Sequence, residues 1–117
     1  MLLSSSVYLE IKAYIQAFGN AAANAVNEAH FDGIELHACH GSLLDQFLQD
    51  VSNNRIDKYG GSVENCARFV LEVIEACVNA VGPKKVAVRL SPWNDTNGEY
   101  SFLERRLLTV YESLICI

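Results

Sequence analysis

Two histidines, His37 and His40, stand three residues apart in the stretch "IELHACHGSLLDQF". An imidazole can ligate a metal, donate an N–H to a substrate oxygen or move a proton near neutrality. A two-histidine set lacks the third and fourth ligands that zinc takes, so metal ligation is the weakest of these readings. Structural or solvent-facing histidines remain the plain alternative. Further on, "KVAVRLSP" carries Arg89, a cation that holds its charge across physiological pH. An arginine at a strand end also reads as an ion-pair partner, for instance of Glu35.

The elements that carry these residues follow from hydrophobic period. Ile11, Tyr14, Ile15, Phe18, Ala22, Val26 and Ala29 recur at three-and-four spacing, which predicts a helix over 8–29 with those side chains inward. "FDGIELH" changes the period to two and predicts a strand entered through a glycine turn. Ile34 and Leu36 point one way and Glu35 and His37 the other. "LLDQFLQ" predicts one or two helical turns, and "DVSNNRIDKYGGS" a loop. In that loop "YGGS" reads as a turn with flexible glycines.

Ser62 is the N-cap expected for the next helix, with Glu64 in its first turn. Its inward positions are Val63, Ala67, Val70, Ile74, Cys77, Val78 and Val81, and it stops at Gly82-Pro83. In the second strand Val86, Val88 and Leu90 share one face, and Ala87, Arg89 and Ser91 the other. Helix, strand, loop, helix, strand is the order of parallel βαβ packing, an α/β fold. His37 and Arg89 fall near the C-terminal ends of their strands, where (β/α) barrels keep their sites. Asp45, Gln46, Arg55 and Asp57 read as loop and helix-cap polar groups.

Composition narrows the classes of function. The 117 residues are half hydrophobic with a net charge of −5. An acidic balance disfavours nucleic acid, whose phosphates need a surplus of Lys and Arg. No apolar run reaches the roughly 18 residues of a membrane span. The opening "MLLSSSVYLEIK" lacks the basic start of a signal peptide, so a cytoplasmic protein is expected. Cys39, Cys66, Cys77 and Cys116 form no C-x-x-C pair and read as reduced, buried small hydrophobes.

The run from "FDGIELHACHGSLLDQFL" through "NNRIDKYGGSVENCARF" to "RLSPW" resembles the old yellow enzyme family of FMN-dependent ene reductases. The resemblance covers roughly residues 10–93 and implies a fragment of a TIM (β/α)8 barrel, about its fourth and fifth strands. It implies one partial barrel segment over 8–93 and a divergent tail over 94–117, where Leu103, Leu107, Tyr111 and Leu114 could share a helical face. It also implies FMN as cofactor, NAD(P)H as reductant and a small substrate with an activated alkene. In that family the H-x-x-H/N pair, here His37 and His40, hydrogen-bonds the substrate oxygen. The arginine of "RLSP", here Arg89, lies by the flavin.

Four positions depart from the family pattern. The proton-donor tyrosine that follows Gly41 is Ser42, a far poorer acid than a phenol. Ile56 replaces the Thr of "R-T-D", Cys66 the Arg of "ENR", and His30 the Gly before "FDG". A TIM barrel needs about 250 residues, so the 117-residue chain alone is expected to bind little FMN and to expose unpaired strand edges. Two further readings stand beside the ene reductase. One is a non-catalytic truncated remnant. The other is the branch that reduces an unsaturated aldehyde in ergot alkaloid synthesis, which the "FLQDVSN" run and Ser42 favour.

Overall fold

The computed structural model describes residues 5–91. The expected tail over 94–117, with Leu103, Leu107, Tyr111, Leu114 and Cys116, lies outside them. The elements are α1 (Ser5–Ala23), continued by a π-helical turn (Asn24–Glu28), β1 (Ile34–Ala38), α2 (Leu43–Leu48), α3 (Val63–Val81), a 3-10 turn (Pro83–Lys85) and β2 (Val86–Leu90). β1 and β2 are hydrogen-bonded neighbours in a two-stranded parallel sheet. The described chain divides into two compact units, 5–35 with Glu72–Ala87 and Leu36–Leu71 with 88–91.

In the first unit α1 buries Ile11, Ala22 and Val26 and half-buries Ile15 and Phe18. Tyr14 and Ala29, expected inward, are exposed. At about 100° per residue the buried stripe is centred between Ile11 and Val26, which leaves Tyr14 on its flank. Ala29 lies past the wider π turn, where the helical phase has shifted. Gly19 is buried, and a Cβ there would come 3.3 Å from the Ala76 carbonyl oxygen, so the small residue lets α1 approach α3 closely. The Cys77 thiol faces the Phe18 carbonyl at 3.6 Å, and Lys12 pairs with Glu72 at 3.4 Å on the surface.

The glycine at the strand entry is required by space. A Cβ on Gly33 would lie 2.9 Å from the Lys85 carbonyl oxygen. His30, at the position where the resemblance expects glycine, adopts φ 60. The backbone is left-handed there although a Cβ is present, and His is among the residues that tolerate it. α3 ends at Gly82 with φ 91, whose N–H reaches the Val78 carbonyl at 2.8 Å, a glycine C-terminal stop.

The second unit is held by the inward face of α3's first half. Cys66, Ala67, Phe69 and Val70 are buried there with Leu44, Leu48 and Tyr59. Cys66 and Phe69 join the expected Ala67 and Val70, whereas Val63 is only half-buried. Phe47 stacks obliquely on Phe69 at 4.3 Å and meets Tyr59 edge-on at 6.5 Å. Ser62 caps α3 as expected, its hydroxyl accepting the Asn65 N–H at 3.2 Å.

The loop before α3 contains no regular element, yet its backbone is tied down by side chains. Asn53 donates to the carbonyls of Phe47 (2.7 Å) and Tyr59 (2.9 Å) and accepts the Arg55 N–H (3.1 Å). Arg68 donates to the Lys58 carbonyl at 2.8 Å, and Asn65 to that of Gly60 at 3.1 Å. The reading of "YGGS" as flexible glycines is corrected at Gly60. That residue is buried, and a Cβ on it would overlap the Arg55 carbonyl oxygen. Its lack of a side chain is a packing requirement.

Candidate functional site

Strand parity does what the sequence implied. Along β1, Leu36 and Ala38 are buried while Glu35 and His37 are exposed. Along β2, Ala87 and Arg89 are exposed between half-buried Val86, Val88 and Leu90. His37 therefore projects from the last turn of the β1 pleat, next to its C-terminal end. Arg89 holds the corresponding place on β2.

After Ala38 the chain buries Cys39 and then passes through two left-handed residues, His40 (φ 52) and Gly41 (φ 79), before entering α2. This hook returns the His40 side chain toward His37. The ring centroids lie 6.3 Å apart, inclined at 44°, and both histidines are exposed. Two N–H donors, each roughly 2.9 Å from a shared acceptor, need a ring separation of this order. The pair can thus grip one oxygen. Among the described residues no group of three or more His, Cys, Asp or Glu is placed to hold a metal ion.

Side-chain hydrogen bonds fix the hook. The His40 N–H donates to the Ser91 hydroxyl oxygen (3.0 Å), and the Gly41 N–H to the Asp45 carboxylate (2.9 Å). Ser42 donates its hydroxyl to the His37 carbonyl (2.7 Å), and Gln46 its amide to the Gly41 carbonyl (2.9 Å). Asp45 is fully buried and also accepts from Gln49 at 3.1 Å. Cys39 sits under the first histidine, its sulfur 3.6 Å from Nδ1 and 3.7 Å from Nε2 of His37.

Ser91 differs from the two residues read as sharing its face: it is buried, while Ala87 and Arg89 are exposed. β2 ends at Leu90, so the strand's alternation no longer governs the next residue. Sequence reasoning also gave Asp45 only a generic capping role and gave Cys39 none beyond filling space. The position of Asp45 in the first turn of a helix that follows the histidines was the available signal.

Away from the hook, Arg55 forms a two-pronged pair with Asp57, at 3.1 Å from Nε and 2.6 Å from Nη2. Asp57 also accepts the Tyr59 N–H at 3.0 Å. Burial alone would raise the Asp57 carboxyl. The Arg55 hydrogen bonds and charge, with the Tyr59 N–H, outweigh it and hold that group below its ordinary 3.8.

Parallel strands joined through a helix, with imidazole and guanidinium groups at the strands' C-terminal ends, fit a segment of a (β/α)8 barrel. Residues 7–114 match the model of the NADH:flavin oxidoreductase / NADH oxidase family, and the chain belongs to that family. It is 49% identical over 106 residues to the NADP-dependent oxidoreductase lnbE of Aspergillus flavus, covering 90% of this chain and 28% of that protein. It is 47% identical over 89 residues to the chanoclavine-I aldehyde reductase ifgG of Penicillium roqueforti, covering 76% of this chain and 24% of that one. The crystal structure of Old Yellow Enzyme from Pichia sp. AKU4542 superposes with a TM-score of 0.88 at 40% identity, over 99% of this chain and 31% of that structure. The chain therefore spans less than a third of each of these proteins.

Proposed function

We propose that this segment supplies the substrate-oxygen clamp and one flavin contact of an FMN-dependent ene reductase acting on α,β-unsaturated carbonyl compounds. The observation that carries the reading is the His37–His40 pair, two exposed imidazoles 6.3 Å apart at the C-terminal end of β1. Both can donate to one carbonyl oxygen. Donors fixed where negative charge develops lower the barrier more than they tighten substrate binding.

The residues present suit a flavin. Arg89 is an exposed, permanently charged group on β2 and would face negative charge on the cofactor ring. FMN, when bound, supplies the hydride, with NAD(P)H as its source. His37 and His40 orient and polarise the substrate. Ser42, at the family's proton-donor position, has its hydroxyl directed to the His37 carbonyl and contributes to the loop instead. The proton at the substrate α-carbon then comes from water.

The test is enone reduction by a flavin-loaded full barrel into which this segment is grafted, compared with its His37→Ala and His40→Ala forms. Unchanged turnover in both would sink the clamp. The identity to a chanoclavine-I aldehyde reductase favours a second reading, an unsaturated aldehyde as substrate. Faster turnover of cinnamaldehyde than of cyclohexenone would support it.

A further inference from the structure

We infer that Ser91 is a positioning residue for His40, and that its hydroxyl sets the separation of the two imidazoles; this deepens the oxygen-clamp reading and rests on it. The argument begins with the backbone. His40 and Gly41 are consecutive left-handed residues, and only Gly41 adopts that conformation without a Cβ penalty. The left-handed conformation costs His40 a modest Cβ penalty that a bond from outside the hook can offset. Its N–H has such a bond to the Ser91 hydroxyl oxygen at 3.0 Å, from a residue 51 positions away in sequence.

The two ends of the hook are held by different means. Position 37 belongs to β1, and its carbonyl also accepts the Ser42 hydroxyl. Gly41 is tied to Asp45 within the same local segment. His40 is tied through its N–H to the chain beyond β2, two residues after Arg89. One short segment therefore places both the flavin-side cation and the second histidine. A change at Ser91 should release His40 and leave His37 in its strand.

The test uses the full 117-residue chain with 4-nitrophenol as the oxygen-bearing probe. Amide exchange at His40 and the imidazole signals of both histidines are followed by NMR. The wild-type chain should show both rings responding to 4-nitrophenol and a protected His40 amide. Ser91→Ala should weaken 4-nitrophenol binding about tenfold and speed His40 exchange by a similar factor, the size expected for one lost hydrogen bond. The His37 ring signal of the free chain should keep its place, and Ser91→Thr should restore both properties. Ser91→Cys preserves the volume with a weaker acceptor and should fall between, which keeps the question answerable if the alanine form unfolds.

A purely structural role would lower the melting temperature but leave the affinity of the folded fraction and the His40 ring signal unchanged. That result overturns the inference. A wild-type chain in which 4-nitrophenol moves neither ring overturns the clamp itself, and the positioning role with it.

Discussion

The Ser42 hydroxyl donates to the carbonyl oxygen of His37 at 2.7 Å, across five residues. The family's acid position and the first histidine of the proposed clamp are thus joined through the backbone, and the serine proton is used to close the hook. Serine's weak acidity and this engagement both support the proposal that position 42 shapes the loop and leaves proton delivery to water.

Restoring the phenol tests that relationship. In a flavin-loaded full barrel carrying this segment as a graft, Ser42→Tyr should raise enone turnover by about 10²-fold, the lower range of general-acid contributions. Ser42→Ala should cost about 1 kcal/mol of stability through the lost hydrogen bond while changing turnover little. A large loss of turnover in Ser42→Ala would show that serine does serve as the acid.

Removal of one clamp donor should be costly in catalysis. His37→Ala or His40→Ala should each lower kcat by about 10²–10³-fold, as for other preorganised oxyanion donors. The double variant should fall short of the product of the two, because the donors act on one oxygen.

Acid should weaken the second unit through Asp57. Its carboxyl titrates below 3.8 in the folded chain, so its stabilising effect is present in full above the ordinary value and is lost as pH falls through the folded one. Unfolding free energy measured from pH 6 to pH 3 should therefore decline toward the acid end. Asp57→Asn should flatten that decline and lower stability at pH 6 by about 2 kcal/mol, since two charge-assisted bonds to Arg55 are lost. An unchanged slope would mean that other carboxylates dominate.

The two loop glycines should respond differently to a methyl group. Gly60→Ala forces a Cβ against the Arg55 carbonyl and 2.6 Å from the Arg55 Cβ, and should cost about 3 kcal/mol. Gly61 has open space and φ 87, so Gly61→Ala should cost about 1 kcal/mol of backbone strain. Reversal of that order in denaturant melts would contradict the close approach.

Thiol chemistry should report folding. Cys39, Cys66 and Cys77 are fully buried, and burial pushes the Cys77 thiol above its ordinary 9.0. Peptide mapping after iodoacetamide should find these three unmodified in the native chain and modified in urea. Rapid native labelling of Cys77 would mean that α1 and α3 part readily.

Local pattern determined a good deal by itself. The period of the apolar residues yielded three helices and two strands, and the alternation in "IELHA" and "VAVRL" put His37 and Arg89 on the rows opposite the apolar ones. Ser62 as a cap and Gly82 as a stop were readable because both act within one turn of a helix. The motif run identified the family, because its length and order are specific even without coordinates.

Tertiary structure decided what depends on groups distant in sequence or on backbone angles. No periodicity marks His40 as left-handed, and no spacing links it to Ser91. Gly60 looked flexible until the Arg55 carbonyl was found beside it, and Tyr14 looked buried until the centre of the α1 stripe was fixed. Hydrophobic period reports which side of an element turns inward, a property of neighbouring residues. The left-handed His40 amide meets a hydroxyl 51 positions away, just beyond the other strand, and only the folded chain brings it there.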